Sequence, residues 1–230
     1  MTYRHDIFIS YRRQLLWTPW TRDHFKALLS AHLQAELGRA PEVFVDERIE
    51  IGQDWVDELG THLATAKALI AALSGDYFTS PWCVHELDLM LGRGRGLVIP
   101  IIVHNCENLP SPVDLAQSAD FKDYRRTHMA KDGDTYAKFS DAVARVARAI
   151  GRAIADPPAF NASWVAICRA RMQLVYDAGK AGAPLPPTLF TPPPAPAFRT
   201  PPRLKNSGNL VEAEAVLQRA LEISVESYGA

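Results

Sequence analysis

Cysteine is scarce in this chain: Cys83, Cys106 and Cys168 are the only three in 230 residues, widely spaced and odd in number. That pattern excludes a disulfide framework and a cysteine-based zinc site, so no metal is expected, and it predicts a reducing compartment with the cytoplasm as the default location. Long apolar runs are missing too, none approaching the ~20 residues that a membrane-spanning helix needs. The opening segment Met1-Thr2-Tyr3-Arg4-His5-Asp6 lacks the apolar core of a secretion signal. Charge of one sign is also absent. A formal net charge of -1 offers no long-range attraction to nucleic acid or to an anionic membrane, and neither is expected as a partner. Basic pairs such as Arg12-Arg13 and Arg125-Arg126 remain as local anion contacts.

What is present is a globular composition, 47% hydrophobic and 22% charged, on a chain long enough for one domain of about 150 residues and a substantial remainder. The first part alternates strand and helix patterns. Ile7-Phe8-Ile9 predicts a strand, and the stretch from there to Thr21 reads as loop interrupted by Pro19. Phe25, Leu28, Leu29, Leu33 and Leu37 recur at helical spacing until Gly38 supplies a stop. Val43-Phe44-Val45 predicts a second strand that runs into Asp46-Glu47. Asp54 and Asp57 read as a capping pair for the helix carrying Val56, Leu59 and Leu63. The apolar run from Ala68 to Leu73 predicts a strand covered on both faces. Leu97 to Val103 predicts another, placed at an edge or bulged because Pro100 cannot donate to a ladder. A short strand is expected near Phe121 and an amphipathic helix over 136–154. Strands separated by such helices predict a parallel sheet with helices on both faces, which binds ligands beyond the carboxyl ends of its strands.

One octapeptide stands out: Ser80-Pro81-Trp82-Cys83-Val84-His85-Glu86-Leu87. Ser80 is a preferred N-cap, and Pro81 at the first helical position gives up an N–H that would have had no partner there. Trp82 and Glu86 then stand at i and i+4 and share a face, a flat ring beside a carboxylate. Taken alone, the pattern reads first as core packing by Trp82 and Leu87 with Glu86 as a solvated boundary residue. His85 points away from that face, and Cys83 has no basic partner to make it a nucleophile.

In register with it are Asp6-Ile7-Phe8-Ile9-Ser10-Tyr11, Val43-Phe44-Val45-Asp46, Gly52, Trp55, Leu73-Ser74 and Tyr77. Together these segments resemble a TIR (Toll/interleukin-1 receptor) domain of the bacterial type over residues 3 to 155. The resemblance implies a flavodoxin-like, three-layer α/β fold with a five-stranded parallel sheet, and makes 46–52 the counterpart of the family's assembly loop. Enzymatic members cleave the nicotinamide–ribose bond of NAD, to ADP-ribose or a cyclic product, and need no cofactor beside NAD as substrate. The resemblance places the catalytic glutamate at Glu86. Substrate contacts are expected from Trp82, Tyr11, Arg12, Ser10 and Asp46, although Trp82 can equally serve to hold the helix that aims Glu86. Other members are adaptors that act through homotypic contacts, so a non-enzymatic scaffold is the alternative to an NADase of anti-phage defence.

The expected organisation is a TIR domain over 1–156, a helical extension over 157–180, a proline-rich linker over 181–205 and a terminal helix over 206–230. Nine prolines in the nineteen residues from Pro184 to Pro202 enforce the linker. Gly208, Ala213, Glu214, Ala220 and Glu222 resemble the second half of a tetratricopeptide repeat, which cannot bury its apolar face alone. Self-association through the TIR domain, and a protein partner for the repeat-like end, are the expected contacts.

Overall fold

The computed structural model describes residues 2–13, 17–46, 54–106, 109–111, 113, 118–124 and 133–190. Most of the loop after Asp46, the Arg125-Arg126 pair, the linker beyond residue 190 and the repeat-like helix therefore lie outside the described residues. The elements run β1 (His5–Tyr11), α1 (Trp17–Pro19), a π-helical segment (Trp20–Lys26), α2 (Ala27–Leu37), β2 (Val43–Val45), α3 (Trp55–Ala64) and β3 (Ala66–Leu73). They continue with α4 (Pro81–Arg93), β4 (Val98–Ile102), β5 (Ala119–Asp120), α5 (Asp134–Ala155) and α6 (Ser163–Ala181).

The strands pair in the order β2-β1-β3-β4-β5, and every pair is parallel. Strand periodicity divides the apolar side chains between two cores. Ile7, Ile9, Ala68, Ile70 and Ala72 meet α2 and α5 on one face, while Phe8, Leu69, Ala71 and Leu73 meet α3, α4 and α6 on the other. The outcome is the expected three-layer α/β fold around a five-stranded parallel sheet. Gly38 ends α2 with φ 66°, a left-handed cap that costs glycine little.

Three local expectations are corrected. The stretch before Thr21 is not all loop: the chain turns helical at Trp17. Pro19 is tolerated because it sits in the first turn, where its missing N–H has no intrahelical acceptor. Aromatic burial holds this segment. Trp20 stacks on Phe25 at 5.2 Å between ring centres and its Nε1–H donates to the Tyr124 carbonyl at 2.7 Å. Strand β4 is not an edge strand, since β5 lies beyond it. Pro100 survives because β5 pairs only with Ile101 and Ile102, leaving no ladder to interrupt at position 100 on that side. Asp54 precedes α3 without a side-chain capping bond, and Asp57 instead pairs with Arg169 of α6.

The extension carries the helix Ser163–Ala181, overlapping the expected one almost throughout. The residues that follow it pack against α4 and α6. Asp88 in α4 accepts the Leu189 N–H at 2.6 Å, Arg171 donates to the Pro187 carbonyl at 2.7 Å, and Phe190 is buried in the same core as Val165, Cys168 and Met172. Gly60 in α3 explains how closely α6 approaches. A Cβ there would lie 2.7 Å from the Arg169 Cα.

Candidate functional site

The carboxyl ends of β1 and β2, the first turn of α3 and the first turns of α4 surround one cavity of about 160 Å³, lined by Tyr11, Arg12, Arg13, Asp46, Trp55, Leu59, Ser80, Trp82, Cys83 and Glu86. Its place follows from topology: the strand order changes direction on either side of β1, and a crevice opens where it does. Sequence chemistry sets the start of α4 as expected. Ser80 Oγ accepts the Cys83 N–H at 3.4 Å and Pro81 occupies the first turn.

Every residue of α4 from Cys83 to Met90 is buried, including Glu86 at 5% exposure. Ser10 Oγ, at the end of β1, donates to Glu86 Oε2 at 2.5 Å and lies 2.8 Å from the Tyr77 hydroxyl. Tyr77 in turn reaches the Cys83 carbonyl at 3.2 Å. Burial pushes the Glu86 carboxyl up to about 8, helped by the negative charge of Asp46 and opposed by the Ser10 hydrogen bond and the Arg13 guanidinium. Glu86 therefore tends to keep its proton at pH 7.

Asp46 is ion-paired with Arg13. Burial nevertheless raises its carboxyl above the usual aspartate value, with Arg13 acting in the opposite sense. Arg12 lines the cavity, and its buried Nε has no hydrogen-bond partner among the described residues. Cys83 is buried beside the motif, its Sγ donating to the Tyr11 carbonyl at 3.4 Å, and burial raises its thiol pKa, so it stays protonated and inert.

Tyr11, Arg12, Asp46, Trp82 and Glu86, expected together from the sequence, all face this cavity, and Ser10 supports it from behind through Glu86. Four participants were not singled out for the site. Trp55 reads as packing from sequence but lines the cavity, with its ring centre 4.7 Å from that of Trp82. Arg13 pairs with Asp46, and Leu59 completes the wall. Tyr77, visible in the sequence as part of the family pattern, is the buried anchor of Ser10. No group of three or more His, Cys, Asp or Glu among the described residues is placed to hold a metal ion. No helix among them is long and apolar enough to cross a membrane.

A doubly wound parallel sheet with a cleft at its strand ends, floored by a glutamate from the helix after the third strand, defines the class. This chain belongs to the TIR domain family, whose model matches residues 7–139. Among solved structures it is similar to the TIR domain of the Toll-related receptor TRR-2 from Hydra magnipapillata, at 18% identity and TM-score 0.42, covering 63% of this chain and 98% of that one. It is also similar to the TIR domains of the activated Roq1 resistosome that recognises the pathogen effector XopQ. There the identity is 19% and the TM-score 0.35, with 75% of this chain and 98% of that one covered. No curated protein matches the chain.

Proposed function

We propose that this chain is an NAD glycohydrolase, cleaving the nicotinamide–ribose bond with Glu86 as the catalytic group. The observation that carries the reading is the Glu86 carboxyl, buried at the head of α4, hydrogen-bonded by Ser10 and facing a cavity at the carboxyl ends of the strands. A solvated boundary carboxylate, the bland reading of the octapeptide, has no such setting.

The neutral state of Glu86 at rest fits a cationic substrate. A nicotinamide ring carrying positive charge lowers the Glu86 pKa as it enters, so the carboxylate forms where it is needed. As the C–N bond breaks, its electron pair leaves with nicotinamide, which becomes neutral, and positive charge develops on the ribose. A fixed carboxylate in a site with little water stabilises that charge more than it stabilises the bound substrate. Water then adds to the ribose carbon and gives up a proton. Trp82 offers a flat face for stacking, and the unpartnered Arg12 Nε suits a phosphate oxygen. Asp46 holds Arg13 in place at the rim.

Activation by assembly of TIR domains, and a place in anti-phage defence, belong to the same proposal. The cavity, about 160 Å³, is small beside the ~300–1,000 Å³ of typical ligand pockets, as suits a site completed on assembly. We place the protein in the cytoplasm, a reading supported by three free cysteines. The deciding experiment measures nicotinamide release from NAD at high protein concentration. Glu86→Ala is expected to lower it by about 10²–10³-fold. Release absent from both proteins under assembling conditions leaves the scaffold reading in its place, and equal release removes Glu86 from the chemistry.

A further inference from the structure

The cavity at Glu86 has a neighbour across Trp55 and Trp82. A second, more open groove of about 330 Å³ is lined by Trp55, Pro81, Trp82, Val175, Tyr176, Gly179 and Lys180. The two spaces share Trp55 and Trp82, so the tilted ring pair forms the partition between them. The far wall of the groove is built entirely by α6, which lies beyond the residues 7–139 matched by the family.

We infer that α6 builds a nucleotide subsite in this groove, which takes the base and phosphate end of the dinucleotide while the nicotinamide end lies at Glu86. The inference rests on the substrate proposed above and adds to it a binding role for Tyr176 and Lys180. Three aromatic rings line one groove: Trp55 and Trp82 at 4.7 Å, and Tyr176 edge-on to Trp55 at 5.8 Å. All three are half-buried and therefore keep surface for a ligand. Beside them the Lys180 ammonium sits 4.4 Å from the centre of the Tyr176 ring, an exposed cation steadied by that ring. Gly179 leaves the floor clear, since a Cβ there would meet nothing within 4 Å.

That combination selects its ligand by chemistry. Flat rings in a groove favour a planar base, with stacking worth about 1–3 kcal/mol per base. A single ammonium at the margin favours an anionic phosphate and repels a cationic ring. The charges therefore set the direction of the dinucleotide. Its cationic nicotinamide suits the cavity of Asp46 and of the Glu86 carboxyl that ionises as the ring enters, and its phosphates lie between Arg12 of that cavity and Lys180 of the groove.

The test uses the full chain and ADP-ribose, a probe with the base and phosphates but no nicotinamide. Titration calorimetry is expected to show Lys180→Glu weakening ADP-ribose binding about tenfold, near 1.4 kcal/mol. NAD cleavage should show a matching tenfold rise in KM, with kcat changed by less than about twofold. Gly179→Leu, filling open space without disturbing packing, is expected to abolish ADP-ribose binding at a Tm equal to or above the parent's, since leucine is the better helix former. Leu174→Ala, on an exposed part of α6 away from the groove, is expected to alter neither quantity. Unchanged ADP-ribose affinity in both groove variants, or no binding by the parent, overturns the subsite. Binding that depends on Lys180, with no nicotinamide release from NAD at the high protein concentrations that favour assembly, keeps the subsite and overturns the cleavage reading.

Discussion

At the residue scale, Glu86 is the side chain whose setting departs furthest from its sequence appearance. In the unfolded chain its carboxyl gives up its proton near 4.5, and in the fold it does so only near 8. The unfolded form therefore gains on the folded one as pH rises between those values, and the full penalty, about 3–5 kcal/mol, is reached above pH 8. Replacing the group removes the penalty. Glu86→Gln is expected to match the parent in thermal stability near pH 4.5 and to exceed it increasingly up to pH 9, while losing nicotinamide release. A Tm difference that does not grow with pH contradicts the buried, neutral acid. The identity of this residue was legible in the octapeptide, because N-cap, proline and i, i+4 spacing are local features. Its protonation was not, because that depends on Ser10 and Asp46, brought from 76 and 40 residues away by the sheet.

At the scale of elements, hydrophobic periodicity located the strands and the principal helices, since each faces one or two apolar layers. It failed at Pro19, where position within a helical turn decides whether proline is tolerated, and at Pro100, where the length of the neighbouring strand decides. Neither property is written in the residue itself. The approach of α6 to α3 was equally hidden, because Gly60 reads as an unremarkable helical glycine until Arg169 is found against it. Gly60→Ala is expected to destabilise the protein by roughly 1–3 kcal/mol through overpacking, although alanine is the better helix former. Urea denaturation measures this directly, and a stabilised variant refutes the close contact. The contact also matters for the proposed nucleotide groove, since the two helices it joins carry Trp55 and Tyr176.

At the scale of the molecule, the family match stops at residue 139, yet the second core does not close without α6. Val165, Cys168 and Met172 cover the side of α3 that carries Val56, Leu59 and Leu63. Burial of apolar side chains such as these is worth about 1.5–3 kcal/mol each, so their joint loss approaches the whole stability of an ordinary domain. A chain ended after Asp156 is expected to bind a hydrophobic dye and to lose cooperative unfolding. Retention of the parent's melting profile by that shorter chain denies α6 a structural part. Sequence patterning identified the extension as a helix with an apolar face, but an amphipathic pattern does not name the surface that it covers.

The buried carboxyl also alters how the protein moves in an electric field. A formal charge of -1 at pH 7 counts Glu86 as ionised, so a neutral Glu86 leaves the chain close to zero charge. In native electrophoresis, parent and Glu86→Gln should nearly co-migrate at pH 7, differ by about half a charge near pH 8 and by close to one charge about a unit higher. The mobility of the folded chain thus reports the protonation of the proposed catalytic group directly.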